Sequence, residues 1–153
     1  MKIAVFSDSH GDVDTMAGAV RSWQPDLILH LGDHVSDARE LAAECGVPVR
    51  CVRGNCDMGA RAPESDLFLL GNRRFLMCHG HLHRVKISLE SLLAAARFSR
   101  ADVVLYGHTH LADRFETDGM LVLNPGSVGT GRHPSWARLI LTEEALTAEI
   151  VEV

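Results

Sequence analysis

Seven side chains stand where apolar runs end. Asp8 and His10 follow Lys2–Phe6, Asp33 follows Leu27–Leu31, and Asn55 follows Val47–Val52. His79 follows Arg73–Cys78, and His108 and His110 follow Asp102–Tyr106. Nine histidines are many for 153 residues, and five of them fall in two clusters, His79/His81/His83 and His108/His110. Imidazole is the commonest metal-ligating side chain. Two carboxylates, one amide and four imidazoles without a thiolate suit Mn²⁺, Fe, Zn²⁺, Ni²⁺ or Co²⁺ better than a Cys-rich structural zinc site. The set exceeds what one tetrahedral ion takes. Two ions sharing a carboxylate match it, and such pairs recur in in-line phosphoryl displacement. Glycines before Asp33, Asn55 and His108 let the backbone turn sharply and come close to the site.

The elements that must position these residues are legible. Lys2–Phe6 reads as a buried strand. Asp12 caps a helix with Val13, Met16, Ala17 and Val20 on one stripe, broken at Pro25-Asp26. Leu27–Leu31 is a second strand. Ser36 or Asp37 is expected to cap a second helix, with Ala38, Leu41, Ala42 and Cys45 on one face and Gly46 ending it. Val47–Val52 is a third strand. This alternation argues for right-handed crossovers and a parallel sheet. The second half leans antiparallel. Hairpins are expected at Gly71-Asn72, at Asp118-Gly119 and between Trp136–Thr142 and Leu146–Val153. A helix bearing Leu89, Leu92, Leu93 and Ala96 separates the first two, its start stapled by Ile87 before a Ser88 cap. In open α/β sheets ligands gather beyond the carboxyl ends of the strands, which is where the donor residues lie.

In this order the motifs resemble those of the calcineurin-like metallophosphoesterases, and specifically their small single-domain prokaryotic phosphodiesterases. The resemblance runs through Asp8-x-His10, Gly32-Asp33, Gly54-Asn55-Cys56-Asp57, His79-Gly80 and Gly107-His108-Thr109-His110. Asn124-Pro125-Gly126-Ser127 matches the family's late turn. Alone, Asn55 reads as a turn residue after glycine; only the order of the motifs overturns that. The resemblance implies an α/β fold, an αββα sandwich of two mixed β-sheets flanked by helices, as one domain over residues 1–153. It implies two divalent metal ions, Mn²⁺ first, with Ni²⁺, Fe²⁺, Zn²⁺, Co²⁺ or Mg²⁺ as alternatives. Asp8, His10 and His110 would hold one ion, Asn55, His79 and His108 the other, and Asp33 would bridge them. The implied reaction is phosphodiester hydrolysis by a bridging hydroxide. Asn55 would also orient the phosphate and His10 would assist proton transfer. Cys56 stands where many superfamily members carry a histidine thought to protonate the leaving group. Cys56, Asp57 and His81 are placed behind the ligands or against substrate, and carboxylates are expected to orient the ligand imidazoles.

Composition narrows the rest. With 46% hydrophobic and 23% charged residues the chain is globular in character rather than disordered. A net charge of −5, with no basic stripe, argues against strong nucleic-acid binding and makes a nuclease the weaker alternative. The other alternative is a non-catalytic interaction scaffold of the same fold, like the retromer subunit. The partner expected is a small phosphodiester. No export segment or membrane span is expected, and free thiols at Cys45, Cys51, Cys56 and Cys78 fit a cytoplasmic setting. Trp136 or Phe68 is expected at the surface, where a homodimer would use it. His30 reads as a satisfied core residue. His34 and His133 read as surface residues, and His83 as a weaker candidate than His81.

Overall fold

The computed structural model describes all 153 residues, Met1–Val153. Ten strands and three helices follow one another as β1 (Lys2–Phe6), α1 (Val13–Trp23), β2 (Leu27–His30), α2 (Val35–Cys45), β3 (Val49–Cys51), β4 (Ser65–Leu70), β5 (Arg73–Cys78), α3 (Glu90–Phe98), β6 (Val103–Leu105), β7 (Ala112–Thr117), β8 (Met120–Pro125), β9 (Ser135–Leu141) and β10 (Leu146–Glu152), with a 3₁₀ turn at His81–His83 after β5. They form two five-stranded mixed sheets, β10-β9-β1-β2-β3 and β4-β5-β6-β8-β7.

Strand periodicity explains the layering. Ile3 and Val5 on β1 face the second sheet and meet Phe75, Met77, Val103 and Leu105. Their neighbours Ala4 and Phe6 face the other way, onto Met16, Ala17 and Val20 of α1. The outer face of the second sheet packs Leu76, Val104 and Val122 against Leu92 and Ala96 of α3. Each central strand is therefore buried on both faces, which is why it reads as a continuous apolar run. The result is the expected αββα sandwich. β1, β2 and β3 run parallel, as do β5, β6 and β8, so the ligand-bearing loops leave from one edge.

Asp12 caps α1 through Thr15 N, and Gly46 ends α2 at φ +66°. Three expectations fail. α2 starts at Val35 without a side-chain cap from Ser36 or Asp37. Ile87 is 74% exposed, so it staples nothing; Ser88 Oγ only accepts from Glu90 N at 3.1 Å. Trp136 is 3% exposed, stacked on Phe6 at 5.4 Å and edge-on to Trp23 at 5.8 Å, which removes it as an interface residue. No helix is long and apolar enough to cross a membrane.

His30, fully buried at the end of β2, is the satisfied core residue expected. Gly32 N donates to its Nδ1 at 3.2 Å, so the ring proton sits on Nε2, 3.1 Å from Ser9 Oγ. Burial lowers its pKa from 6.5 to about 4, against the opposing charges of Asp37, Asp8 and Asp57. A second proton would also set Nδ1–H against the Gly32 N–H. Between pH 6.5 and about 4 the unfolded chain therefore takes up a proton here that the folded chain refuses. Stability from this group is intact above pH 6.5 and is lost progressively down to about pH 4, by roughly 3 kcal/mol. Urea unfolding of wild type and His30→Gln across that range checks it: the wild-type curve falls more steeply with acid.

Candidate metal centre

Six of the seven donor residues converge. The carboxylate of Asp8, fully buried, lies just past the end of β1. Its Oδ2 accepts from Ser7 Oγ at 2.5 Å and from His108 N at 3.0 Å. Its Oδ1 accepts nothing, although His110 Nε2 lies 3.0 Å away, His79 Nε2 3.8 Å and His10 Nε2 4.0 Å. His10 Nε2 is buried and equally without a partner. Orphaned buried polar atoms are rare and call for an explanation. Here a carboxylate oxygen and imidazole nitrogens, all lone-pair donors to a metal, face one point. A cation there satisfies them, so the residues fit the implied ion.

The ligand atoms of Asp8, His10 and His110 lie within 4.8 Å of one another, and so do those of Asp33, His79 and His108. His79 Nε2 joins the groups, 3.3 Å from Asp33 Oδ2 and 3.2 Å from His108 Nδ1. Its Nδ1 sits 2.8 Å from the Leu31 carbonyl, which only accepts, so Nδ1 carries the proton and Nε2 is free to ligate.

The electrostatics match. Burial pushes the Asp33 carboxyl up, but hydrogen bonds from His79 and from the Cys56 N–H, with the His79 charge, hold it well below the usual carboxylate range. Burial pulls His79 down, and the Asp33 hydrogen bond with the Asp8 and Asp33 charges raises it overall. Two buried carboxylates thus favour the protonated form of His79, where a divalent ion would supply positive charge instead. Burial, with the His79 and Lys86 charges, lowers His108 to about 4, so it stays a neutral ligand at pH 7.

The backbone is bent to achieve this. Asp8, His10, Asp33, His108 and His110 adopt φ of +53°, +47°, +53°, +69° and +59°. Each such non-glycine residue costs about 1–2 kcal/mol, and strain of this kind gathers at functional sites. The close approaches fall to glycine: a Cβ on Gly54 would overlap Asp33 Oδ1, and one on Gly107 would overlap Ser7 Oγ.

The remaining candidates fall differently. Asn55 is exposed, and its amide reaches only Cys56 Sγ, at 3.6 Å, so the structure does not draw it into the second cluster. Cys56 is exposed; its N–H donates to Asp33 Oδ1 at 2.9 Å. Burial and Asp33 raise its thiol pKa, keeping it protonated. The His81 ring lies 5.5 Å from His79 and 6.2 Å from His108, while His83 turns away to Ser91 Oγ at 2.9 Å. Asp57 fits the place behind the ligands expected of it. It is buried and accepts four backbone N–H groups, Asp33 and Gly54 on Oδ2 and His34 and Val35 on Oδ1.

Some contributors escaped the sequence. His34, its side chain 39% exposed as expected of a surface residue, also packs edge-on to His10 at 4.9 Å. Asp37 is buried and accepts from Ser9 Oγ and Gly11 N, each at 2.7 Å, so it anchors the Asp8–His10 turn rather than capping α2. Carboxylates do not orient the ligand imidazoles: His79 uses the Leu31 carbonyl, and His110 Nδ1 lies 3.3 Å from Thr130 Oγ1. The late Asn124 holds the His108–His110 loop, with Nδ2 donating to Gly107 O at 3.1 Å and Thr109 Oγ1 at 2.9 Å.

A model of the calcineurin-like phosphoesterase superfamily domain matches residues 1–145. The chain is 34% identical over 158 residues to the probable metallophosphoesterase YsnB of Bacillus subtilis, covering 99% of this chain and 91% of that one. Among solved structures it is similar to a conserved uncharacterized protein of Streptococcus pneumoniae, a predicted phosphoesterase, at 29% identity and a TM-score of 0.84, covering 99% of this chain and 88% of that one. It shares its fold with wild-type Vps29 of Entamoeba histolytica complexed with zinc, at 20% identity and a TM-score of 0.82, covering 99% of each.

Proposed function

The chain belongs to the calcineurin-like phosphoesterase superfamily, and from that premise we propose that residues 1–153 act as one domain hydrolysing small phosphodiesters with two divalent metal ions. The observation that carries this reading is the pair of three-residue donor groups, bridged by His79 Nε2 lying 3.8 Å from the orphaned Asp8 Oδ1. Asp8, His10 and His110 would hold one ion, and His79, His108 and Asn55 the other, with Asp33 between them. Mn²⁺ leads among ions that accept oxygen and imidazole donors, and availability decides between them. When bound, such ions lower the pKa of a coordinated water and neutralise charge on phosphoryl oxygens.

The chain's own groups do the rest. Asn55, exposed beside Asp33, offers an amide to a phosphate oxygen. His10 presents an Nε2 that no protein group uses; given to an ion, that atom carries no proton, so His10 would assist proton transfer only through its other ring nitrogen. Cys56 stands at the rim with its thiol protonated, a poorer general acid than a histidine tuned near neutrality. Diesters with good leaving groups should therefore be preferred over alkyl monoesters. No long insertion closes over the centre, so the substrate is taken from an open face.

The test uses metal-stripped protein with an aryl phosphodiester and an aryl phosphomonoester, before and after adding Mn²⁺, Mg²⁺, Ni²⁺ or Zn²⁺. Turnover should depend on metal and favour the diester at least about tenfold, the contribution of one well-placed proton donor being of order 10²–10⁴. Faster monoester turnover would sink the substrate class. Folded, two-metal protein with no turnover at all would favour the scaffold. Salt-sensitive binding to plain DNA would revive the nuclease. A cytoplasmic setting and a homodimer are part of the same reading; the dimer is checked by sedimentation.

A further inference from the structure

We propose that Thr130 is a positioning residue that fixes the tautomer of His110, leaving the lone pair of His110 Nε2 aimed at the Asp8 group. This rests on the metal-dependent reading above. It follows from counting protons along one chain of hydroxyls. Ser127 Oγ is fully buried and donates its single proton to the Asp8 carbonyl at 2.7 Å. Toward Thr130 it can then only accept, which it does from Thr130 N at 2.8 Å and from Thr130 Oγ1 at 3.2 Å. With its own proton committed to Ser127, Thr130 Oγ1 presents only lone pairs to His110 Nδ1, 3.3 Å away. A hydrogen bond there requires the His110 proton on Nδ1. Nε2 is thereby left bare, 3.0 Å from the unpartnered Asp8 Oδ1.

Two lone pairs at that distance repel unless a cation stands beside both. The chain therefore stores, in the metal-free protein, the arrangement that a metal needs. The turn that carries Thr130 is itself seated firmly. Val128 N donates to Ser7 O at 3.2 Å, and a Cβ on Gly129 would overlap the Ser9 carbonyl, so only glycine lets the turn lie this close to β1. This gives the late Asn124–Ser127 motif a role: it delivers a hydroxyl relay from the Asp8 backbone to the back of a ligand imidazole. Groups behind a ligand imidazole typically change metal affinity 10–100-fold.

Mn²⁺ is the probe, titrated into wild type, Thr130→Val and Thr130→Ser, with free ion counted from its electron paramagnetic resonance signal. Thr130→Val should weaken one of the two sites about tenfold, and Thr130→Ser should restore it, with the metal-free melting temperature unchanged in both. Long-range proton–nitrogen spectra of the metal-free wild type should show His110 protonated at Nδ1, and Thr130→Val should show a tautomer mixture. Undiminished Mn²⁺ affinity in Thr130→Val, equal weakening in Thr130→Ser, or an Nε2–H tautomer in wild type overturns the proposal. If wild type binds no Mn²⁺, the metal reading fails, and the tautomer spectra still decide this one.

Discussion

Asp33→Asn should lower metal-dependent phosphodiester turnover by about 10³-fold or more while leaving a folded protein. The size follows from what the carboxylate does. A single transition-state hydrogen-bond donor is worth about 10²–10³ in rate. Asp33 is asked for more than that: in the proposed site it would supply the one negative charge shared between two cations. Asparagine keeps the shape and one acceptor, so Cys56 N can still bond to it as it does to Asp33 Oδ1 at 2.9 Å. It removes the charge and turns an amide toward His79 Nε2, which now lies 3.3 Å from Asp33 Oδ2. His79 is not left without a counter-charge, because Asp8 Oδ1 stands 3.8 Å away, so the metal-free fold should survive.

Two measurements check this together. Steady-state hydrolysis of an aryl diester reads the rate. Thermal melting with and without Mn²⁺ reads the binding, since an ion held by the native state alone raises stability with concentration. Wild type should gain several degrees on adding metal and the variant much less. A variant keeping more than a tenth of the wild-type rate would show that Asp33 does not bridge.

What could be read from the sequence divides along a physical line. Interactions within an element are written in local pattern: the Val13–Val20 stripe, the Asp12 cap on Thr15 N and the left-handed Gly46 all stand where expected. The convergence of six of the seven donor residues was legible because they follow strands, and parallel strands deliver their ends to one edge. The supporting groups left no local trace. Asp37 and Ser9 meet across 28 positions, and Ser127 meets the Asp8 carbonyl across 119. Nothing at Thr130 distinguishes a structural hydroxyl from that of an ordinary turn residue, and Asp57 is picked out only by the order of the motifs. The left-handed backbone at Asp8, His10 and His110 was invisible for a different reason. Sequence marks such sites by glycine, and here the chemistry excluded glycine and accepted the strain.

Asp57→Ala should cost about 3–5 kcal/mol of stability, the largest single effect expected outside the apolar core. The carboxylate gathers four backbone donors: Val35 N at 2.7 Å, Gly54 N at 2.8 Å, Asp33 N at 2.9 Å and His34 N at 3.2 Å. Two of these belong to His34 and Val35, the cap position and first residue of α2, whose N-terminus has no other side-chain cap and favours a negative charge. The others belong to the two loops that carry Asp33 and Asn55. Truncation strands all four donors, each costing about 1–3 kcal/mol if left dry, with water recovering part of it. Asp57→Asn should be little better, because its NH₂ would confront N–H groups where an acceptor is needed. Urea unfolding without metal reads the loss, with the slope of the transition unchanged. The same variant should also weaken Mn²⁺ binding, since Asp33 is held through its own N–H. This separates a clasp from a substrate contact. A residue that only touched substrate would lower turnover and leave the urea midpoint in place, so a midpoint change worth less than about 1 kcal/mol would return Asp57 to the substrate side.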